Sequence, residues 1–163
     1  MSTPRNPLSD DAVAHGEFLI EVIRDGKNGP EVIQSRHVPN LIINVGKKQL
    51  WRMASGLSSK VFDFMRIGTS GAAAASNNTN VKSPVTGTLK TCDSRTISSG
   101  RTFQLVISYP SGGGTKSATG IQEVCVLNQH TSPGGSALNR STFTSVNKTT
   151  ADKLKITYSA RIT

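Results

Sequence analysis

The 163-residue sequence is poor in aromatic residues, charged residues and cysteine. Aromatic side chains make up 5% of the chain and charged side chains 18%, whereas Ser, Thr, Gly and Asn are abundant. The sequence contains no apolar run of membrane-spanning length, and residues 1–11 lack the apolar segment of a secretory signal peptide. We therefore expect a protein that is made in the cytoplasm and has no membrane partner, built as one β-rich domain with little helix.

Neither cysteine nor histidine occurs in a metal-binding pattern. Cys92 and Cys125 are far apart and form no CxxC pair. Buried free thiols are the expected state, and a Cys92–Cys125 disulfide is the alternative if their strands are neighbours. None of His15, His37 and His130 is followed by a ligand partner three or four residues later. The sequence predicts neither a metal site nor a cofactor.

The sequence also lacks a recognisable catalytic set. No two acidic residues have the spacing of a catalytic dyad, and the glycines near residues 68 and 112–114 lack the pattern of a phosphate-binding loop. Glu123 stands among apolar neighbours, so it is either a buried acid with a raised pKa or, as we favour, the partner of Arg140 in a salt bridge. We expect no enzymatic activity.

The clearest pattern lies at the C-terminus, where apolar and polar side chains alternate from residue 153 to residue 162. This period of two predicts a strand with one face on a core. Residues 17–36 predict a hairpin around a turn at 25–30. Residues 18–23 are so apolar that both faces of that strand should be covered, and Pro39 should interrupt its pairing.

One short helix is predicted, in residues 46–56. Its apolar stripe repeats at helical spacing and consists of Leu50, Met53, Ala54 and Leu57. Asn44 is expected to cap the N-terminus and Gly56 to end the helix. Trp51 lies beside the stripe, at the expected edge of the core.

Turn-rich segments separate about eight predicted strands, and residues 71–84 are expected to form a long surface excursion. Residues 87–97 and 101–109 should pair, and three strands should follow after residue 118. This count predicts a mainly β, single-domain antiparallel β-sandwich or jelly-roll with one short helix and an extended N-terminal arm. We assign residues 1–15 to the arm and residues 16–163 to the domain.

The net charge of +9 comes from 19 basic and 10 acidic residues. Basic residues are spread along the chain, with no run longer than Lys47-Lys48. This distribution favours general attraction to an acidic surface over dedicated nucleic-acid binding.

Five segments occur in a fixed order along the chain. They are N-L-I-I-N-V-G-K-K-Q-L, F-M-R-I-G-T-S, G-I-Q-E-V-C-V-L-N, A-L-N-R-S-T-F-T-S-V and D-K-L-K-I-T-Y-S-A-R-I. In their order and spacing, over about residues 40–163, the chain resembles small virion structural proteins of tailed bacteriophages. Cys125 departs from that pattern, because it stands where a glycine is usual.

The resemblance implies a structural role in a phage particle, as a capsid cement or decoration protein or as a tail or fibre component. The chain has no internal repeat and no heptad, and its charge is positive, so we favour cement that bridges major capsid subunits on the outer capsid surface. A dimer or trimer is the expected assembly. Candidate partner-contact residues are Arg5, Phe18, Ile20, Lys47, Lys48 and Trp51. For the apolar runs at 18–23 and 41–43, plain core packing is the favoured alternative.

The sequence is also compatible with two other functions. A tail or fibre protein could recognise a host surface through loops 110–120 and 129–136. The third hypothesis, a DNA-binding protein inside the phage head, is supported by the positive charge alone. Nucleic acid is not the expected partner.

Overall fold

The chain forms nine strands and one helix in the residues described by a computed structural model, which are 14–98, 102–112, 118–129 and 136–162. The elements are β1 (Ala14–Gly26), β2 (Gly29–Leu41), α1 (Asn44–Ala54), β3 (Phe64–Gly68), β4 (Lys90–Thr91), β5 (Ser94–Ser98), β6 (Thr102–Tyr109), β7 (Ala118–Leu127), β8 (Ala137–Lys148) and β9 (Asp152–Ile162).

The strands form two antiparallel sheets, which confirms a mainly β fold and is consistent with a β-sandwich. The first sheet has the order β2-β1-β9-β6-β5, and the second has the order β4-β3-β7-β8. The predicted strand at 87–97 divides between them, because β4 pairs with β3 whereas β5 pairs with β6. This division raises the strand count from about eight to nine.

The C-terminal strand lies at the centre of the first sheet, as its alternation predicts. Leu154, Ile156 and Tyr158 of β9 are fully buried, and β9 pairs with β1 on one side and β6 on the other. Ile67 and Val124 of the second sheet belong to the same core. Each such side chain contributes about 1.5–3 kcal/mol of burial free energy.

The hairpin is confirmed, but two expectations about its strands are wrong. Phe18 and Ile20 are fully buried, while Leu19 between them is only half-buried, so one face of β1 packs on the core instead of two. Pro39 does not interrupt pairing, because it remains in register opposite Glu17. Since β2 is an edge strand, a proline that lacks an N–H is tolerated there.

Side chains join the two sheets along the β2–β8 side. Arg36 Nε donates to the Thr144 carbonyl at 3.2 Å. Gln34 and Asn147 bond in both directions, each at 3.2 Å. The edge of β2 is therefore fastened to the neighbouring sheet.

The predicted helix exists, with corrections at its start and on its apolar stripe. Its N-cap is Ile43, which is extended and makes no side-chain cap, so Asn44 is the first helical residue. Gly56, with φ of 71°, follows the helix end as predicted. Leu57, however, is 72% exposed and Trp51 is 77% exposed, so neither belongs to the core.

A buried glycine brings the helix against β8. A Cβ atom at Gly46 would overlap the backbone of Leu138. Gln49 is also buried, and its amide donates to Ser58 Oγ at 2.8 Å and to the Lys60 carbonyl at 3.1 Å. These contacts orient Leu50 and Met53 toward the end of the core, where both are half-buried.

Candidate functional site

Charge is distributed unevenly along the chain. Sixteen of the nineteen basic residues follow Glu31, but only four of the ten acidic residues do. Each of these four carboxylates forms an ion pair with a basic residue: Asp63 with Arg95, Asp93 with Lys90, Glu123 with Arg140, and Asp152 with Arg24. The molecule after β1 therefore carries a large excess of positive charge.

The exposed side of α1 carries part of this excess. Lys47, Lys48 and Arg52 are exposed, and none of them belongs to an ion pair within the described residues. The sequence from residue 32 to residue 62 contains no acidic residue at all. A basic helix in a stretch of chain that carries no carboxylate is a surface that attracts negative partners.

Glu123 and Arg140 form the buried salt bridge that the sequence predicts. Arg140 Nη2 lies 2.6 Å from Glu123 Oε2, and both side chains are fully buried. The other carboxylate oxygen accepts backbone hydrogen bonds from Ser83 at 2.8 Å and Ser70 at 3.2 Å, while Oε2 also accepts one from Lys82 at 2.9 Å.

These donors settle the protonation of Glu123. Burial alone would raise the pKa of its carboxyl, but the amides of Ser83 and Lys82 and the Arg140 guanidinium outweigh burial and lower the pKa. The alternative of a buried acid with a raised pKa is therefore wrong. Glu123 is a charged structural anchor.

The ion pair fastens the surface excursion at 71–84, which contains neither a helix nor a strand. The Arg140 guanidinium donates to the Ala72 carbonyl at 2.9 Å and to the Ala73 carbonyl at 3.1 Å. It also donates to Asn78 Oδ1 at 3.3 Å. Because Glu123 holds both ends of the loop and Arg140 holds its middle, an exposed loop of small residues has a fixed shape.

An apolar pocket of about 330 Å³ lies between α1 and the ends of β6, β8 and β9. Its apolar walls include Ile42, Leu50, Met53, Phe62, Phe103 and Leu138. Val61, which is 43% exposed, also lines it, as do Arg95 and Arg161. Ile97 is 74% exposed and is the cross-strand partner of Phe103, so it lies on the same sheet face beside the pocket.

The structure separates the candidate contact residues into groups. Lys47, Lys48 and Trp51 lie together on the exposed side of α1. Phe18 and Ile20 are fully buried in the core and present no surface to a partner, which is the core-packing alternative. Arg5 lies outside the described residues.

Sequence reasoning missed the pocket and the exposed residues Leu57, Val61 and Ile97. Their apolar side chains suggested burial. The tertiary structure shows instead that no other element covers Leu57 and Val61 after α1, or Ile97 on β5. A usable signal did exist, because the segment that contains Leu57 and Val61 is basic and lacks carboxylates.

Neither cysteine thiol is in an activating environment. Cys92 and Cys125 are both free, so the disulfide alternative is wrong. Burial raises the pKa of each thiol to about 12. Since the thiolate is the reactive form, neither is an activated nucleophile.

Among the described residues, no three His, Cys, Asp or Glu side chains are placed to hold a metal ion. No helix in the same parts of the chain is long and apolar enough to cross a membrane. The sequence matches no known family, no characterised protein and no solved structure.

Proposed function

We propose that this protein is a structural component of a tailed-phage particle, and that it acts as a capsid cement or decoration protein without catalysing a reaction. The observation that carries the proposal is the positive charge left on the surface after every carboxylate beyond Glu31 has been paired. An acidic shell would attract such a surface, and many copies binding weakly would reinforce it together.

The segments that carry the resemblance support the proposal through their positions. The second segment contains β3, the third contains Glu123 on β7, and the fourth contains Arg140 on β8. Both partners of the buried ion pair therefore lie in segments that carry the resemblance to phage virion proteins. The resemblance therefore concerns the residues that set the shape of the domain.

Cement must touch more than one neighbour, and the molecule offers two separate rigid surfaces. One is the basic side of α1, and the other is the loop at 71–77, whose residues are exposed. In the proposed mechanism each copy bridges two major capsid subunits and adds interface that must break before the shell ruptures. The proposal includes a sandwich of jelly-roll type, an N-terminal arm and a dimer or trimer at the capsid surface.

The test is occupancy on purified particles. The protein is added to particles that lack it, and its position and occupancy are measured by electron cryomicroscopy together with the temperature at which the particles release DNA. We expect density on the shell and a higher release temperature. Lys47→Glu combined with Lys48→Glu should reduce occupancy strongly, whereas Lys27→Glu in the β1–β2 turn should not.

A deletion tests the proposed arm, and the cut is placed so that strand β1 stays whole. Ala14 and His15 pair with Ile162 and Arg161 in the first sheet, so the cut belongs before Ala14. We expect the shortened chain to fold and to occupy fewer shell sites. Full occupancy would remove the arm from the proposal.

Other locations would overturn the proposal as a whole. Density on the tail or fibre, or binding of the purified protein to host cells, would favour a host-attachment protein. The loops at 110–120 and 129–136 that would serve attachment lie partly outside the described residues. Tight, salt-dependent binding to packaged DNA would favour a protein inside the head.

A further inference from the structure

We propose that the pocket beside α1 is a docking site for a segment of an acidic partner protein that inserts one bulky apolar side chain. The inference deepens the proposed function, on which it rests for the existence of a protein partner. It names the surface and the chemistry of the contact.

The pocket walls define the apolar half of the ligand. Leu50 and Met53 come from α1, Phe62 from the segment after it, and Phe103 from β6. At about 330 Å³ the pocket is near the lower limit of roughly 300 Å³ for ligand sites. It has room for a large side chain, and the exposed Val61 and Ile97 extend the apolar surface around it. A buried anchor of this kind is what dominates the affinity of protein interfaces.

The basic residues around the pocket define the acidic half of the ligand. Arg161 lines the pocket, is exposed, and has no ion pair among the described residues. Arg95 also lines it, and its guanidinium lies 3.5 Å from Asp63, a distance that leaves it able to meet a second carboxylate. Carboxylates flanking the inserted side chain would meet these arginines and the basic side of α1.

A protein segment fits this arrangement better than nucleic acid or a membrane. The apolar walls offer no donors to base edges, and Trp51 is the only exposed aromatic side chain among the described residues, so these residues form no row of stacking platforms. Arg95 and Arg161 would meet a phosphate as well as a carboxylate, so single-stranded DNA is one of the competitors in the test. Insertion of α1 into a membrane would need the apolar stripe of the helix to face outward, but Trp51 is the only large apolar residue of α1 that is exposed. The apolar residues Leu50 and Met53 of α1 instead line the pocket.

The test uses the full chain and a hexapeptide library. Each peptide has Asp or Glu at its two first and two last positions and Leu, Ile, Met, Phe or Trp at the two central positions. Matched libraries carry Lys or Arg at the outer positions, or Ser at the central ones. We expect capture of the acidic apolar library alone, and selected peptides without tryptophan should change the emission of Trp51.

Paired variants locate the site. Val61→Phe narrows the pocket mouth, and its control is Val32→Phe on β2, where the native valine is 47% exposed, similar to Val61. Arg161→Glu reverses a charge at the pocket, and its control is Lys153→Glu at the other end of β9. We expect Val61→Phe to weaken peptide binding at least about tenfold and Arg161→Glu about fivefold. The controls should stay close to the parent, and thermal melting should verify that all four variants fold.

Several results would overturn the inference. They are equal capture of the basic library, unchanged binding by Val61→Phe, or displacement of the peptides by anionic lipid vesicles or by single-stranded DNA. Self-association that Val61→Phe abolishes would also overturn it, because a second copy would then be the occupant. If Val61→Phe loses the peptides but still occupies particles fully, the docking site has no role in capsid binding and the proposed function stands. If the parent binds peptides but no particle, the proposed function fails and the docking site stands.

Discussion

The loop held by Glu123 and Arg140 and the pocket beside α1 use charge in opposite ways. At the loop, two full charges are removed from water, and every donor around the carboxylate belongs to the chain itself. At the pocket, basic side chains stay in water around an apolar hollow. The buried pair at the loop stabilises the fold of the chain itself, whereas the exposed basic side chains at the pocket remain available to bind a partner.

The largest effect should come from breaking the buried pair. Arg140→Ala leaves Glu123 charged without its guanidinium, and removing one partner of a buried ion pair costs about 3–5 kcal/mol. Urea unfolding monitored by circular dichroism measures the loss. The control is Arg95→Ala, which removes a half-exposed partner and should cost less than about 1 kcal/mol. Equal losses would mean that burial does not separate the two pairs.

A second prediction concerns Asp152, whose carboxylate accepts hydrogen bonds from Arg24 at 2.7 Å and from the Thr149 amide at 2.8 Å. Arg24 and Thr149 lower the pKa of Asp152 below its unfolded value, although burial opposes them. The stabilisation is therefore complete above the unfolded pKa of about 4 and is lost as the pH falls through the lower folded pKa.

Asp152→Asn should cost about 2 kcal/mol at neutral pH. The difference from the parent should shrink as the pH falls below about 4. Urea midpoints measured from pH 7 to pH 2 test both statements. Asp25→Asn at the exposed end of β1 is the control, and a difference for Asp152→Asn that is constant with pH would contradict the assigned role.

The third prediction concerns the close packing of α1 against β8 at Gly46. Gly46→Ala places a methyl group against the backbone of Leu138 and should cost about 1–3 kcal/mol, because one of the two elements must move. Thermal melting measures this loss. Gly71→Ala is the control, since a Cβ there meets only the end of the Gln122 side chain. If both variants melt like the parent, the close approach of α1 to β8 is not required.

The smallest effect should come from the exposed side of α1. Asn44→Glu at the first residue of the helix should stabilise it by about 0.3–1 kcal/mol, whereas Arg52→Glu in the last turn should destabilise it by a similar amount, because the helix dipole favours acids first and bases last. Melting temperatures at low salt should show the opposite signs. Equal signs would show that neighbouring charges, and not the dipole, control this surface.

The sequence predicts best where the relevant interaction is local or nearly so. Alternation in residues 153–162 identifies β9 because a strand that covers a core must repeat every two residues. The Glu123–Arg140 pair follows from a carboxylate among apolar neighbours, which must find a cation or lose its charge. Both predictions are confirmed.

Prediction fails where the answer depends on what covers a surface. Leu57 and Ile97 have the side chains of core residues, but no other element covers them. The pocket combines residues from four separate parts of the chain, so no local pattern encodes it. Asn44 is a good capping residue by type, yet the chain enters the helix one residue earlier, with Ile43 packed in the interior.

The loop between β3 and β4 offers a place to carry foreign sequence. Its feet, Ser70 and Ser83, donate to the same oxygen atom of Glu123, and its tip is a turn in which Ala75 and Asn78 bond to each other. Lengthening a closed loop is inexpensive, at about 0.6 kcal/mol for each doubling. A short epitope inserted between Ser76 and Asn77 should therefore be displayed to antibodies while both sheets keep their native arrangement.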